Sequence, residues 1–363
     1  MTRWLLAGGG TAGHVNPLLA TADRLVEEGD EVLVLGTAEG LEARLVPERG
    51  YELLVVPRLP FPRRPNGAAL RFPRAVLGSI ALTGRYLEER RVDAVIGFGG
   101  YAAAPAYLAA RRRRIPIAVH EQNAKPGMAN RLGARLGGTV GVTFPGTPLP
   151  RAERTGMPLR REIVALDRAG RRVEGREFFG LDPARPVLLV TGGSLGAARL
   201  NRAAAANAAA VTDAGWQVLH LAGGRNAEAD PGVPGYRMLA YADRMDLALA
   251  AADLVVSRAG ASTVSELSAL GLPAVYVPYA VGNGEQRFNA AAVVEAGGAL
   301  LEPDSGFTPE RFAEVVLPLL GDAERLAAMA AAATGDGVRD GAARMTRLAR
   351  AGLGDGPRVP SRP

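Results

Sequence analysis

The chain has no cysteine in 363 residues. That excludes disulfides, thiol nucleophiles and cysteine-based zinc sites. Histidine is nearly as scarce: only His14, His120 and His220 occur, and no two are spaced as metal ligands. No metal site and no cofactor are expected. Lysine is reduced to Lys125, so arginine carries the net charge of +6. Such a surplus is compatible with nucleic acid, anionic lipid or a phosphorylated substrate. Long apolar runs are missing too. None approaches the roughly 18 residues of a membrane span, and the opening "WLLA" is too short for a signal peptide. A cytoplasmic chain is expected. A hydrophobic content of 48% with 22% charged residues suits a globular protein with full cores. The length suits two domains.

Short β-rich runs alternate with helical patterns. "RWLLAG", "EVLVLG", "YELLVV", "DAVIGFG", "IPIAVH" and "TVGVTF" read as six buried strands of a first half. "PVLLVTG", "WQVLHLAG", "DLVVSRAG" and "PAVYVPY" read as four of a second. Continuous apolar strands separated by helices indicate parallel sheets covered on both faces. The join falls near "RTGMPLRRE", residues 154–162. The expected organisation is a first domain over 1–157, a second over 158–337, a helix over 338–352 and a Pro/Gly-rich tail over 353–363. The fold class is α/β: two Rossmann-like parallel-sheet domains facing across a cleft, with ligands at the carboxyl ends of the strands.

Gly8, Gly10 and Gly13 have G-x-G-x-x-G spacing between a strand and a helix. Glycine lets backbone approach a phosphate, and a helix N-terminus offers free N–H groups and a favourable dipole. A tight turn with no ligand is the plainer alternative. "VTGGSLGAARLN" repeats the device with Ser194, and "SRAGASTVSELSALGLP" repeats it again. There Ala261, Ser262 and Thr263 open a helix that also carries Glu266, an acid suited to accepting hydrogen bonds from sugar hydroxyls; an ordinary first-turn acid is the alternative. Three anion-type turns favour a ligand with several phosphates. "HEQNAKPG" (120–127) ends a buried strand and reads as a functional loop, or else as a solvated connection. Glu285, Gln286 and Asn289 stand at a helix start and suit a sugar. His220, inside "WQVLHLAG", reads as a satisfied core histidine, and "RRRR" at 111–114 as a solvated helix end.

Taken in order, "GGGTAGHVNP", "GFGGYAAAPA", "HEQNAKPGMAN", "VTGGSLGAARLN" and "GASTVSELSALGLPAVYVPY" resemble the MurG family, the bacterial N-acetylglucosaminyltransferases of peptidoglycan synthesis. The resemblance runs through about residues 5–300. It implies GT-B architecture with a C-terminal helix returning to the first domain. It also implies transfer of N-acetylglucosamine from UDP-GlcNAc to the muramyl sugar of undecaprenyl-pyrophosphoryl-muramoyl-pentapeptide (lipid I), giving lipid II, with no nucleic acid as partner. By motif, Thr11, Ala12, Gly13 and Asn123 border donor and acceptor. Arg160 and Ser194 contact the donor from the second domain, and the Ala242 backbone reads the uracil. Ala261, Ser262, Thr263, Val264, Ser265 and Glu266 cradle diphosphate and ribose, and Gln286 reaches the sugar. Ala12 and Glu285 depart from residues common among relatives, glycine and glutamine.

Two further expectations concern the membrane and the base. Residues 61–86 place Arg63, Arg64, Arg71, Arg74 and Arg85 among Phe72, Val76, Leu77 and Ile80. This patch suits an anionic leaflet, with apolar groups dipping in and arginines on headgroups; a core-facing helix is the alternative. Peripheral attachment to the cytoplasmic face follows. His14 opens a helix, where the dipole disfavours imidazolium, and is the expected catalytic base. Two other classes stay open: a glycosyltransferase for a soluble acceptor, and a nucleotide-binding oxidoreductase or epimerase. The second strand ends in Gly36 and Thr37 rather than an acid, which disfavours the oxidoreductase.

Overall fold

A computed structural model describes residues 1–60, 67–193, 197–224, 228–279 and 284–354. The chain forms two compact units, one of Met1–Arg160 joined by the segment from Arg339, the other of Arg161–Val338. Ser194, Arg63, Arg64 and the tail beyond 354 lie outside the described residues.

The first unit is built on seven strands: β1 Arg3–Ala7, β2 Glu31–Gly36, β3 Glu52–Val55, β4 Ala94–Gly97, β5 Ile117–Glu121, β6 Thr139–Val142 and β7 Ala152–Arg154. They lie in the order β3-β2-β1-β4-β5-β6-β7, and every pairing is parallel. Its helices up to residue 135 are α1 Ala12–Glu27, α2 Glu42–Glu48, α3 Gly67–Glu89, α4 Ala103–Arg113 and α5 Met128–Arg135. Both faces of the sheet are covered, which explains the apolar runs. Along β1, Leu5 and Ala7 join one core cluster while Trp4 and Leu6 join another, and all four are 0% exposed. The helix Gly341–Gly354 completes the second cluster with Met345 and Ala349. Arg350 anchors that helix on Glu28 and Asp30 at 2.8 and 2.7 Å.

The second unit has six described strands: β8 Val187–Thr191, β9 Gln217–Leu221, β10 Tyr236–Leu239, β11 Leu254–Ser257, β12 Ala274–Tyr276 and β13 Ala299–Leu301. Their order is β10-β9-β8-β11-β12-β13, again with every pairing parallel. Strands β7, β10 and β13 are additions to the ten expected. Each is an edge strand of three or four residues, and β7 is exposed throughout, so the apolar signal is short there.

Helix α3 sorts the expected membrane residues by face. Arg71, Arg74, Leu77 and Arg85 are exposed, and Leu77 keeps 56% of its surface. Ile80 is 3% exposed and belongs to the core, and Val76 packs against the same cluster, so neither is available to a membrane. The 3.6-residue period turns these positions inward. Phe72 is half-buried.

Candidate functional site

In an open parallel sheet, ligands bind beyond the carboxyl ends of the strands where the strand order reverses. In the first unit that point lies between β1 and β4. Three loops meet there, since β1 pairs with β4 and β4 with β5: the glycine turn after β1, the Phe98–Tyr101 turn after β4 and the Gln122–Gly127 loop after β5.

The first two turns pack backbone on backbone. Gly10 has φ +89°, and Gly100 has φ +77°. A Cβ on Gly100 would stand 2.5 Å from the Gly9 carbonyl oxygen, so the second turn also needs its glycine. The Gly10 N–H donates to Glu42 Oε2 at 2.7 Å. It faces inward and is not available to a phosphate, which removes one donor that the G-x-G-x-x-G spacing suggested. Thr11, the N-cap of α1, makes no side-chain cap; its Oγ1 lies 3.2 Å from His14 Nδ1. The other ring nitrogen, Nε2, lies against the Cα of Gly99, 3.0 Å from where a Cβ would be.

Burial pushes the His14 ring below the ordinary histidine range, against the Gly9 carbonyl and the Glu42 charge, which favour a proton on it. The ring is therefore neutral near pH 7 and able to accept a proton. The helix dipole is the cause expected from sequence; in the fold, removal from water lowers the ring's pKa. Thr11 and Ala12 are exposed, and Gly13 is half-buried beside them.

"HEQN" divides into a framework and one accessible residue. His120, Glu121 and Gln122 are 0–2% exposed, so this is not a solvated connection. The His120 ring donates to the Gly156 carbonyl at 3.0 Å, and burial brings it down to about 4. The Glu121 carboxylate accepts from the N–H groups of Asn123 and Gly127 and from Asn130 Nδ2, each at 2.9 Å. Burial raises its pKa while these bonds oppose the rise. Asn123 is half-buried and meets Glu121 through its side chain as well. Arg160 is half-buried and is the last residue of the first unit. Thr155, Met157 and Leu159, all at most 4% exposed, carry the chain through the first unit's interior up to that point.

In the second unit the strand order reverses between β8 and β11. The loop after β11 opens the helix Ala261–Ala269 from Gly260, whose backbone is extended. Ser262, Thr263 and Glu266 are half-buried there, whereas the side chains of Ala261, Val264 and Ser265 are buried and can offer a ligand only backbone. Arg258 anchors this loop on Asp304 at 2.5 Å. Gln286 uses its carbonyl to accept from the Tyr279 N–H at 2.8 Å, which leaves its amide N–H groups for a sugar. Asn289 is 1% exposed and donates to the Ala259 carbonyl, so it supports the loop instead of meeting a sugar. Ala242 borders a pocket of about 390 Å³ lined by Phe178, Phe179, Arg237 and Tyr241. His220 is the satisfied core histidine expected, held by Asn201 at 3.1 Å and Tyr236 at 2.7 Å.

Sequence reasoning missed Glu42 and Asn130. Glu42 had a signal, an acid in "GTAEGLEARL" just beyond the second strand. Asn130 closes the quoted "HEQNAKPGMAN", but nothing local marks its bonds to Tyr107, His120 and Glu121. Among the described residues no three His, Asp or Glu side chains form a metal cluster, and no helix is long and apolar enough to cross a membrane.

Residues 4–141 match the glycosyltransferase family 28 N-terminal domain, and residues 187–345 match its C-terminal domain. A protein of Leifsonia xyli is 61% identical over 97% of this chain and 99% of its own length. One of Nocardioides is 53% identical over 98% and 100%. Both are named UDP-N-acetylglucosamine–N-acetylmuramyl-(pentapeptide) pyrophosphoryl-undecaprenol N-acetylglucosamine transferase. The crystal structure of MurG from Acinetobacter baumannii superposes with a TM-score of 0.77 at 29% identity, covering 96% of this chain and 100% of that one. With both domains matched and relatives this similar along their whole length, the chain belongs to glycosyltransferase family 28 and, within it, to the N-acetylglucosamine transferases of the MurG family.

Proposed function

We propose that this chain transfers N-acetylglucosamine from UDP-GlcNAc to the C4 hydroxyl of the muramyl sugar of lipid I, with inversion at the anomeric carbon. The observation that carries the mechanism is the neutral His14 ring, held at the strand-order reversal by Thr11 and the glycine turns. The muramyl oxygen forms a bond to the anomeric carbon as the bond from that carbon to the UDP oxygen breaks. His14 takes the hydroxyl proton, and UDP departs with the bonding electron pair.

The second unit supplies the donor site. N–H groups opening the helix Ala261–Ala269 suit the diphosphate, Glu266 the ribose hydroxyls, the Gln286 amide the sugar and the Ala242 backbone the base. No step calls for a protein-bound metal. Thr11, Ala12, Gly13 and Asn123 border donor and acceptor, and Arg160 contacts the donor. The exposed face of α3, with Arg71, Arg74 and Leu77, supports peripheral attachment to an anionic membrane.

UDP release tests this reading. Release from UDP-GlcNAc should require a lipid I analogue. Equal release with a soluble acceptor such as a small phenol, or none with lipid I, would overturn it.

A further inference from the structure

Glu42 is 0% exposed, and among the described residues no cation pairs with it. A buried carboxylate is costly unless its oxygens are well supplied with donors. Here Oε1 accepts from the Thr37 N–H at 2.9 Å and the Thr37 hydroxyl at 2.8 Å, and Oε2 accepts from the Gly10 N–H. The side chain lies flat against backbone: a Cβ on Gly9, Gly36 or Gly40 would collide with it. Glu42 thus ties the end of β2 to the turn after β1. Gly9 lies between this carboxylate and Gly100, and its carbonyl hydrogen-bonds the His14 ring.

We propose that Glu42 is a positioning residue for the transfer, fixing the Gly8–Gly10 turn from beneath and, through Gly9, the His14 ring. This rests on the reading of His14 as the base. Shape and charge both matter. The turn sets where the ring stands, and the Glu42 charge favours a proton on it. Among the described residues Glu42 supplies the one charge that bears on the ring; its neighbours Thr11, Gly99 and Asn130 are uncharged.

Glu42→Gln in the full-length enzyme keeps the shape, loses the charge and turns an N–H₂ group towards a donor. Its kcat should fall by up to about 100-fold, the cost of a small misplacement of a reacting group, with the KM for UDP-GlcNAc unchanged. The acid limb of its kcat–pH profile should move to lower pH, because nothing charged then helps His14 hold a proton. In a His14→Ala background the same change should cost little more. Wild-type kcat and pH profile in Glu42→Gln, with His14→Ala strongly impaired, would overturn the proposal and leave the base assignment intact. Full additivity of the two changes would overturn it as well.

If His14→Ala keeps its kcat, the base assignment fails, and the positioning claim is judged by the NMR titration of the His14 ring in Glu42→Gln. An unchanged titration then overturns it. Should Glu42→Gln not fold, Thr37→Val removes one of the three bonds and should lower kcat to a smaller extent at constant donor KM. Wild-type kcat in Thr37→Val would then count against the proposal.

Discussion

Asn130 donates to Glu121 Oε2 at 2.9 Å, and both side chains are buried. Asn130 also donates to the His120 carbonyl at 3.0 Å and accepts from the Tyr107 hydroxyl at 2.9 Å. One amide therefore joins β5, α4 and the loop that carries Asn123. Asn130→Ala would leave several buried groups short of a partner, at about 1–3 kcal/mol each. The expected outcome is a clear drop in the urea midpoint; an unchanged midpoint would show that the network repairs itself.

His14→Ala should lower kcat by about 10²–10⁴, the usual worth of a general base, while calorimetric affinity for UDP-GlcNAc barely changes. A loss confined to substrate binding would make His14 an anchor and move the base elsewhere.

Glu266→Ala should weaken UDP-GlcNAc binding. Each charge-assisted hydrogen bond lost to the ribose is worth about 1.5–3 kcal/mol. Equal affinity by calorimetry in a folded variant would remove Glu266 from the ribose site.

Arg71 and Arg74 are exposed on α3. Replacing both by glutamate should cut sedimentation with anionic vesicles tenfold or more, at about 1 kcal/mol for each basic residue near the surface. The attachment should also weaken with salt. Equal sedimentation of the two proteins would place the membrane contact on another surface.

All three histidines have pKa values below the ordinary range, His120 and His220 at about 4. Unfolding frees them to bind protons, so below about 6.5 the unfolded chain holds more protons than the folded one. Stability should fall as pH drops from about 6.5 to about 4, by roughly 3 kcal/mol for each fully buried ring. Glu121, whose carboxyl is raised by burial, acts in the opposite sense from the ordinary carboxylate range upward. Urea midpoints measured across this range check the slope, and His220→Gln should flatten it. A flat profile in the unaltered protein would mean that the buried rings keep their ordinary pKa values.

From sequence alone, ten of the thirteen described strands, the parallel sheets and the glycine turns that follow β1 and β11 were legible. Each is a local signal, since an apolar run of strand length or a glycine after a strand is imposed by residues adjacent in the chain. The edge strands β7, β10 and β13 were not legible, because each has only three or four residues and its apolar run is short or broken by polar residues, whereas the edge strand β3 showed through "YELLVV". Tertiary structure decided which polar residues face a ligand and which hold the scaffold. His120, Glu121, Gln122 and Asn289 read as site residues but are buried and hydrogen-bonded within the fold. Glu42, by contrast, shapes the site from a position that carries no binding motif, and Asn130 does so from the buried end of "HEQNAKPGMAN". Ile80 and Leu77 are alike in sequence, yet one enters the core and the other stays exposed, because they lie on either side of the border of the helix's buried stripe. Burial and hydrogen-bond partners depend on residues distant in the chain, and only the folded backbone brings those together.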